Sequence, residues 1–243
     1  MTPFAVCFFH LWLSQEPPAL LAWPPGVEHR FVWVQNGRKV GETTFLLEAA
    51  KQGSALHLLK AQRTSDYPSF SLRAQGTTTF RADGTPVKFE ESLSGTSLNR
   101  KQVQQETSIY FEGEVAKLRY RHHGSEEHPR DVKYEEGTFL IATNAVEHWA
   151  LFAAMLPPGF ERKEVKLFYP DFGQALEVTI AKTGTEKLDV GGNEVEATRY
   201  SFLADRRDLR GSLWLDKARR LLKIHFPNQS PELGLTVMLS PRK

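Results

Sequence analysis

From about Phe31 to the C-terminus, apolar and polar residues alternate in short runs separated by turn signals. A near-continuous apolar stretch at Asn144–Leu156 interrupts that rhythm once. In the run Pro86–Leu93, Val87, Phe89 and Leu93 fall on one face, while Lys88, Glu90 and Ser92 fall on the other. A period of two is that of a strand with one side buried. Asn36-Gly37, Asp83-Gly84, Glu112-Gly113 and Gly191-Gly192 punctuate the runs where hairpins should turn, because Asn and Gly tolerate positive φ. Roughly a dozen strands at near-regular spacing predict an antiparallel meander rather than βαβ units. Among them, Ala175–Lys182 and Glu186–Val190 read as separate strands, and Asp131–Tyr134 as a weak one.

The interrupting stretch predicts a helix. Asn144 stands where an N-cap belongs, Glu147 follows at capping-box spacing, and Pro157-Pro158-Gly159 stops the element. Val146, Trp149, Ala150, Phe152, Ala153, Met155 and Leu156 leave little polar surface beyond Glu147 and His148. A helix apolar nearly all round must be covered on most sides, and a strongly twisted sheet offers such cover only on its concave face. The predicted fold is therefore mostly β: a single large curled antiparallel sheet, a half-barrel, with one central apolar helix packed on its concave face.

Chain length and composition narrow the class. The 243 residues suffice for one all-β domain with a substantial core. The 31 basic and 29 acidic residues nearly cancel, which argues against a dedicated nucleic-acid partner. The basic runs Arg206–Arg210 and Lys217–Lys223 read as solvated strand edges. The apolar decapeptide Phe4–Leu13 is too short for a stable membrane span but suits the core of a secretory signal, with Leu20-Leu21-Ala22 as a cleavage site; no Lys or Arg precedes Arg30, so the usual basic leader is missing. Export is expected on this ground, with a cytoplasmic location as the alternative. Residues 1–26 are thus a signal-like segment with a Pro-rich lead-in (Pro17, Pro18, Pro24, Pro25), and residues 27–243 a single antiparallel β domain. The lone Cys7 falls in that first segment, so the β domain has no thiol chemistry of its own.

Few residues suggest chemistry. No nucleophile elbow, phosphate-binding loop or dinucleotide fingerprint is present. His122, His123 and His128 with Glu126 and Glu127 could ligate a metal, but their spacing reads as a hairpin tip, so no metal and no cofactor are expected. His57 and His225 lie in apolar runs and read as core or boundary residues. Glu90-Glu91 and Glu135-Glu136 alternate across the sheet and read as surface. The aromatic residues are more informative, with five Trp and sixteen Phe. Trp149, Phe152 and Met155 on the helix, with Trp33, Tyr200 and Trp214 on strands, either fill the core or line an apolar pocket.

A first hairpin carrying Trp33, Val34, Gly37 and Gly41, a long meander, a central apolar helix and a late Trp214-Leu215-Asp216 strand resemble a bacterial family of exported proteins of unknown function. That family's fold is similar to the lipoprotein carriers LolA and LolB. The resemblance covers about Glu28 to Ser240 and departs at the helix opening, where Thr143-Asn144-Ala145-Val146 replaces an Asp-Pro-Ser-like start. It implies a fold and an envelope location, and no catalytic residues.

The expected function is that of a non-enzymatic envelope protein holding an apolar, lipid-like ligand between sheet and helix. The alternative is a structural or interaction module that docks an envelope partner at a sheet edge. An open apolar cavity under the helix favours the first reading; a full core with a pairable edge favours the second.

Overall fold

The computed structural model describes residues 22–48, 55–67, 70–96, 101–122, 124–205, 209–227 and 234–240. The apolar decapeptide, Cys7, most of the proposed cleavage site, His123 and Arg206–Asp208 of the first basic run lie outside the described residues. Eight strands come first: β1 (Glu28–Gln35), β2 (Arg38–Glu48), β3 (Leu56–Tyr67), β4 (Phe70–Arg81), β5 (Pro86–Thr96), β6 (Gln102–Glu112), β7 (Val115–His122) and β8 (His128–Lys133). A two-residue β9 (Phe139–Leu140), the helix α1 (Val146–Met155) and β10 (Arg162–Tyr169) follow. After a 3-10 turn at Pro170–Phe172 come β11 (Gln174–Val190), β12 (Asn193–Ala204), β13 (Arg210–Leu215), β14 (Leu221–Phe226) and β15 (Leu235–Ser240).

All strands belong to one 15-stranded sheet in the order β8 back to β1, then β15 back to β9. Every neighbour follows in sequence except β1 and β15, which pair antiparallel from Arg30↔Ser240 to Gln35↔Leu235. The sheet is not closed. Its two margins, β8 and β9, are consecutive in the chain, and side chains bring them together. Tyr120 donates from its hydroxyl to the Pro170 carbonyl at 3.1 Å. Phe168 of β10 packs in one cluster with Phe89, Ile109 and Leu118 of β5 to β7.

The glycines of the first hairpin have separate physical reasons. Asn36 and Gly37 take φ of 51° and 72°, as a tight hairpin turn requires. A Cβ on Gly41 would stand 2.4 Å from the Thr64 carbonyl oxygen, so β2 and β3 could not approach as they do with any side chain there.

Three local expectations are corrected. The regions at Ala175–Lys182 and Glu186–Val190 form one long strand, β11, which absorbs the irregular spacing as a register shift between Lys182 and Gly184. One βαβ unit does exist: β9 pairs parallel with β10, and parallel neighbours need a crossover, which α1 supplies. Only two residues of β9 pair, too few to read as a strand in the sequence. Finally, Asn144 does not cap α1. It takes φ of 60°, a left-handed conformation, in the turn before the helix. Ala145 occupies the cap position and makes no side-chain cap bond.

Candidate functional site

The interior of the sheet is the candidate site, because α1 fills it. Every residue from Val146 to Ala154 is buried, Glu147 and His148 included. From Trp149 onward the helix meets rings. Trp149 lies 4.8 Å from Phe202, 5.8 Å from Phe226 and 5.9 Å from Phe152, centroid to centroid, and Phe152 lies 5.0 Å from Phe139. Trp23 donates its indole N–H to the Ala150 carbonyl at 3.0 Å, and Arg219 reaches the Leu156 carbonyl at 2.7 Å. Trp23 belongs to the stretch read as lead-in, yet it is 1% exposed and packs against Phe45.

Of the six residues expected around a pocket, Trp33, Trp149, Phe152 and Tyr200 are buried in this inner core, and Met155 packs against it half-buried. Trp33 donates to Thr43 Oγ1 at 3.0 Å, and Tyr200 stacks on Phe160 with ring centroids 4.5 Å apart. These side chains pack against one another. Trp214 does not join them. Its neighbour Leu213 points inward, so Trp214 points outward into a small cluster with Ala197 and Leu222. There Lys223 sits 4.3 Å and Arg199 5.1 Å from its ring, and its indole N–H donates to Glu186.

The N-terminal end of α1 is dry but polar, which the sequence reading did not anticipate. Arg63 of β3 points inward, donates to the Glu91 carboxylate, reaches the Thr143 carbonyl at 3.2 Å, and places Nε 3.4 Å from Glu147 Oε1. Its side chain is 6% exposed, that of Glu91 13% and that of Glu147 2%. Glu91, read as surface, is thus an inner-face residue beside buried Thr107, its partner in the β5–β6 register. Burial drives the Glu147 carboxyl above the usual range, against the opposing pull of Arg63.

His148 completes the polar end. Its Nδ1 accepts the Ala142 N–H at 3.0 Å, so the proton of a neutral ring sits on Nε2, which donates to Thr78 Oγ1 at 2.8 Å. Burial, and then the nearby Arg63 charge, push its pKa down to about 3. The other histidines are less committed. His225 Nδ1 lies 2.9 Å from Thr236 Oγ1, His57 is buried against Phe80, and His122 and His128 are exposed at the β7–β8 turn. Among the described residues no three His, Cys, Asp or Glu side chains converge on a common point.

The sheet margins are guarded. β8 reads His-Pro-Arg-Asp-Val-Lys and is almost wholly exposed; Pro129 removes a donor, and the charges discourage pairing. Lys166, beside β9, is held by Glu135 at 2.7 Å. No helix among the described residues is long and apolar enough to cross a membrane.

A family model for DUF6134, a domain of unknown function, matches residues 31–232, from the first strand nearly to the last. The chain belongs to that family. No curated protein matches the chain. Among solved structures, it is similar to a β-barrel-like protein of domain of unknown function DUF1849 from Brucella abortus. That match has a TM-score of 0.54 and 13% identity over 87% of this chain and 93% of the other, a likeness of fold alone. A hypothetical lipoprotein, YmcC of Escherichia coli, aligns at TM-score 0.32 and 11% identity over 90% of this chain and 87% of its own. The family match bears out the expected kinship with a family of unknown function, and the single open sheet around one helix bears out the expected curled β fold.

Proposed function

We propose that this DUF6134 protein is a non-catalytic protein of the cell envelope that acts through its surface, as a structural or interaction module. The observation that carries this reading is the filled seat of α1. Rings and small residues occupy the space that an apolar ligand would need, and nine consecutive helix residues are buried. Ion pairs and a protonation-specific histidine hold the helix entrance, a use of buried polar groups that fixes one arrangement better than it adds stability. The apolar decapeptide near the N-terminus supports the envelope location. Because β8 is guarded by Pro129 and charge, the surface in question is a face of the sheet rather than an added strand at its edge.

The second reading, a carrier of a lipid-like ligand, keeps one specific support. From Trp149 onward the helix is apolar, and it has no side-chain N-cap, so the sheet could present its ring-lined part to an acyl chain if the helix moved out. Burial of one CH₂ is worth about 0.8 kcal/mol, so a single chain would bind usefully.

Native mass spectrometry with organic extraction, on protein purified from cells from residue 23 onward, separates the two. A bare mass from several expression hosts supports the module. A lipid-sized adduct that disappears when Trp149 or Phe152 is replaced by a charged residue overturns it in favour of the carrier.

A further inference from the structure

Two carboxylates share one guanidinium at the entrance to α1, and they share it unequally. Arg63 makes its close contact with Glu91 and a second bond to the Thr143 carbonyl, leaving only a 3.4 Å approach from Nε to Glu147 Oε1. Glu147 Oε2 is buried and has no hydrogen-bond partner. Arg63 of β3 faces this carboxyl, with Glu91 of β5 behind it and the uncharged Thr107 of β6 beside Glu91. The helix adds the Glu147 backbone N–H, which favours the ionised form, and His148, whose two nitrogens are engaged as in a neutral ring. If both carboxylates were ionised, the cluster would carry a net negative charge at a buried site, with one Glu147 oxygen lacking a protein partner, an arrangement that costs several kcal/mol.

We propose that Glu147 holds a proton in the folded protein, which makes the entrance to α1 a pH-sensitive seat that loosens when the proton is lost. In this arrangement Arg63 and Glu91 are the ionised couple of the cluster, and the adjacent residues Glu147 and His148 are both neutral. Opening the entrance lets both groups ionise as they do in water: Glu147 releases a proton above about pH 4.3, and His148 takes one up below about pH 6.5. Between those values the two exchanges cancel. Above pH 6.5 only the loss from Glu147 remains, so a rising pH favours the open entrance. The upward push of burial on the Glu147 carboxyl, which outweighs the pull of Arg63 and of the backbone N–H, is in keeping with this. The inference goes beyond the proposed function and does not depend on whether the protein is a module or a carrier.

The test is the substitution Glu147→Gln, which copies the neutral acid in shape and cannot ionise. Denaturant unfolding of both proteins from pH 4 to pH 8 gives the ratio of the variant's folding constant to that of the wild type, in which the contribution of His148 divides out. The ratio should be near one at pH 4 and climb, by at most tenfold per pH unit, before reaching a plateau. A ratio that falls with rising pH would mean an ionised Glu147 paired with Arg63 and would overturn the proposal, as would a flat ratio. Should the variant fail to fold, the wild type labelled with ¹³C-glutamate gives the answer directly. One buried carboxyl carbon titrating above the ordinary carboxylate range supports the proposal, and Glu147 already ionised at pH 5 overturns it. Amide exchange over residues 142–150, corrected for intrinsic rates, should lose protection from pH 6.5 to pH 8 in the wild type; protection independent of pH would remove the link to the helix seat.

Discussion

The two halves of α1 are both packed inside the sheet and are held by different means. From Trp149 onward the helix is packed by rings, with Trp149 against Phe152, Phe202 and Phe226, and Phe202 against Phe226. The N-terminal end is held by hydrogen bonds that join Arg63 to Glu91 and Thr143 and His148 to Thr78 and Ala142, with Glu147 close to Arg63. Apolar packing is tolerant: it needs volume and contact, and many arrangements come close. The polar end is intolerant, since a displacement of about an ångström would leave charges and donors buried without partners. The difference suggests that rings supply most of the stability of the helix seat, while the polar cluster selects its register.

Substitutions can sharpen or break that contrast. The largest loss should come from the ring end: Phe152→Ala should cost about 3–5 kcal/mol in denaturant unfolding, with little dependence on pH. Arg63→Met should cost a comparable amount at neutral pH, because it strands the Glu91 carboxylate at the helix entrance, but part of the loss should return as acid neutralises that group. A loss that does not change with pH would show that Arg63 acts only as a space-filler, and the contrast between the ends would fail.

His148 should report the acid side. A group whose folded pKa lies below its unfolded one contributes stability above the unfolded value, near 6.5, that is lost as pH falls toward the folded value of about 3. In a Glu147→Gln background, stability should therefore decline by at most about 1.4 kcal/mol per pH unit below pH 6.5. His148→Asn should remove that slope.

A smaller effect is expected at Thr43→Val, about 1–3 kcal/mol, for leaving the buried Trp33 indole N–H without its acceptor. The smallest should be Lys223→Ala on the outer face, about 0.5–1 kcal/mol, for removing a cation from the Trp214 ring. A large effect there would mean that the outer cluster is a second stabilising core.

How much of this was legible depends on the kind of signal. Strand alternation and Gly-containing turns are local, so most hairpins could be read within a residue or two, as at Leu221–Phe226. The apolar helix and its place inside the sheet followed from its lack of a polar face. Trp214 was misplaced because side-chain direction depends on strand register, and Leu213 takes the inward position. The polar seat was missed for a different reason, since charges in a strand suggest solvent. Yet the phase was available: Arg63 is in step with His57, Leu59 and Ala61, and Glu91 with Phe89 and Leu93, so both sat on the apolar face of their strands. Asn144 looked like a cap because its type and spacing fit. The positive φ it takes in the turn is set by the crossover from β9 and could not be read locally.

The pairing of β1 with β15 has a consequence for how the molecule comes into being. Most of the other ladders join neighbours in sequence and can form while the chain is still being synthesised. The Arg30↔Ser240 ladder joins residues from opposite ends of the chain, so the sheet stays in two halves until the last strand is made. Until then β1 presents an unpaired row of backbone donors and acceptors. A chain truncated before Leu235 should therefore collect as an aggregation-prone intermediate with its hairpins largely formed, and completion of the last six-residue strand should be the slow, committing step of folding.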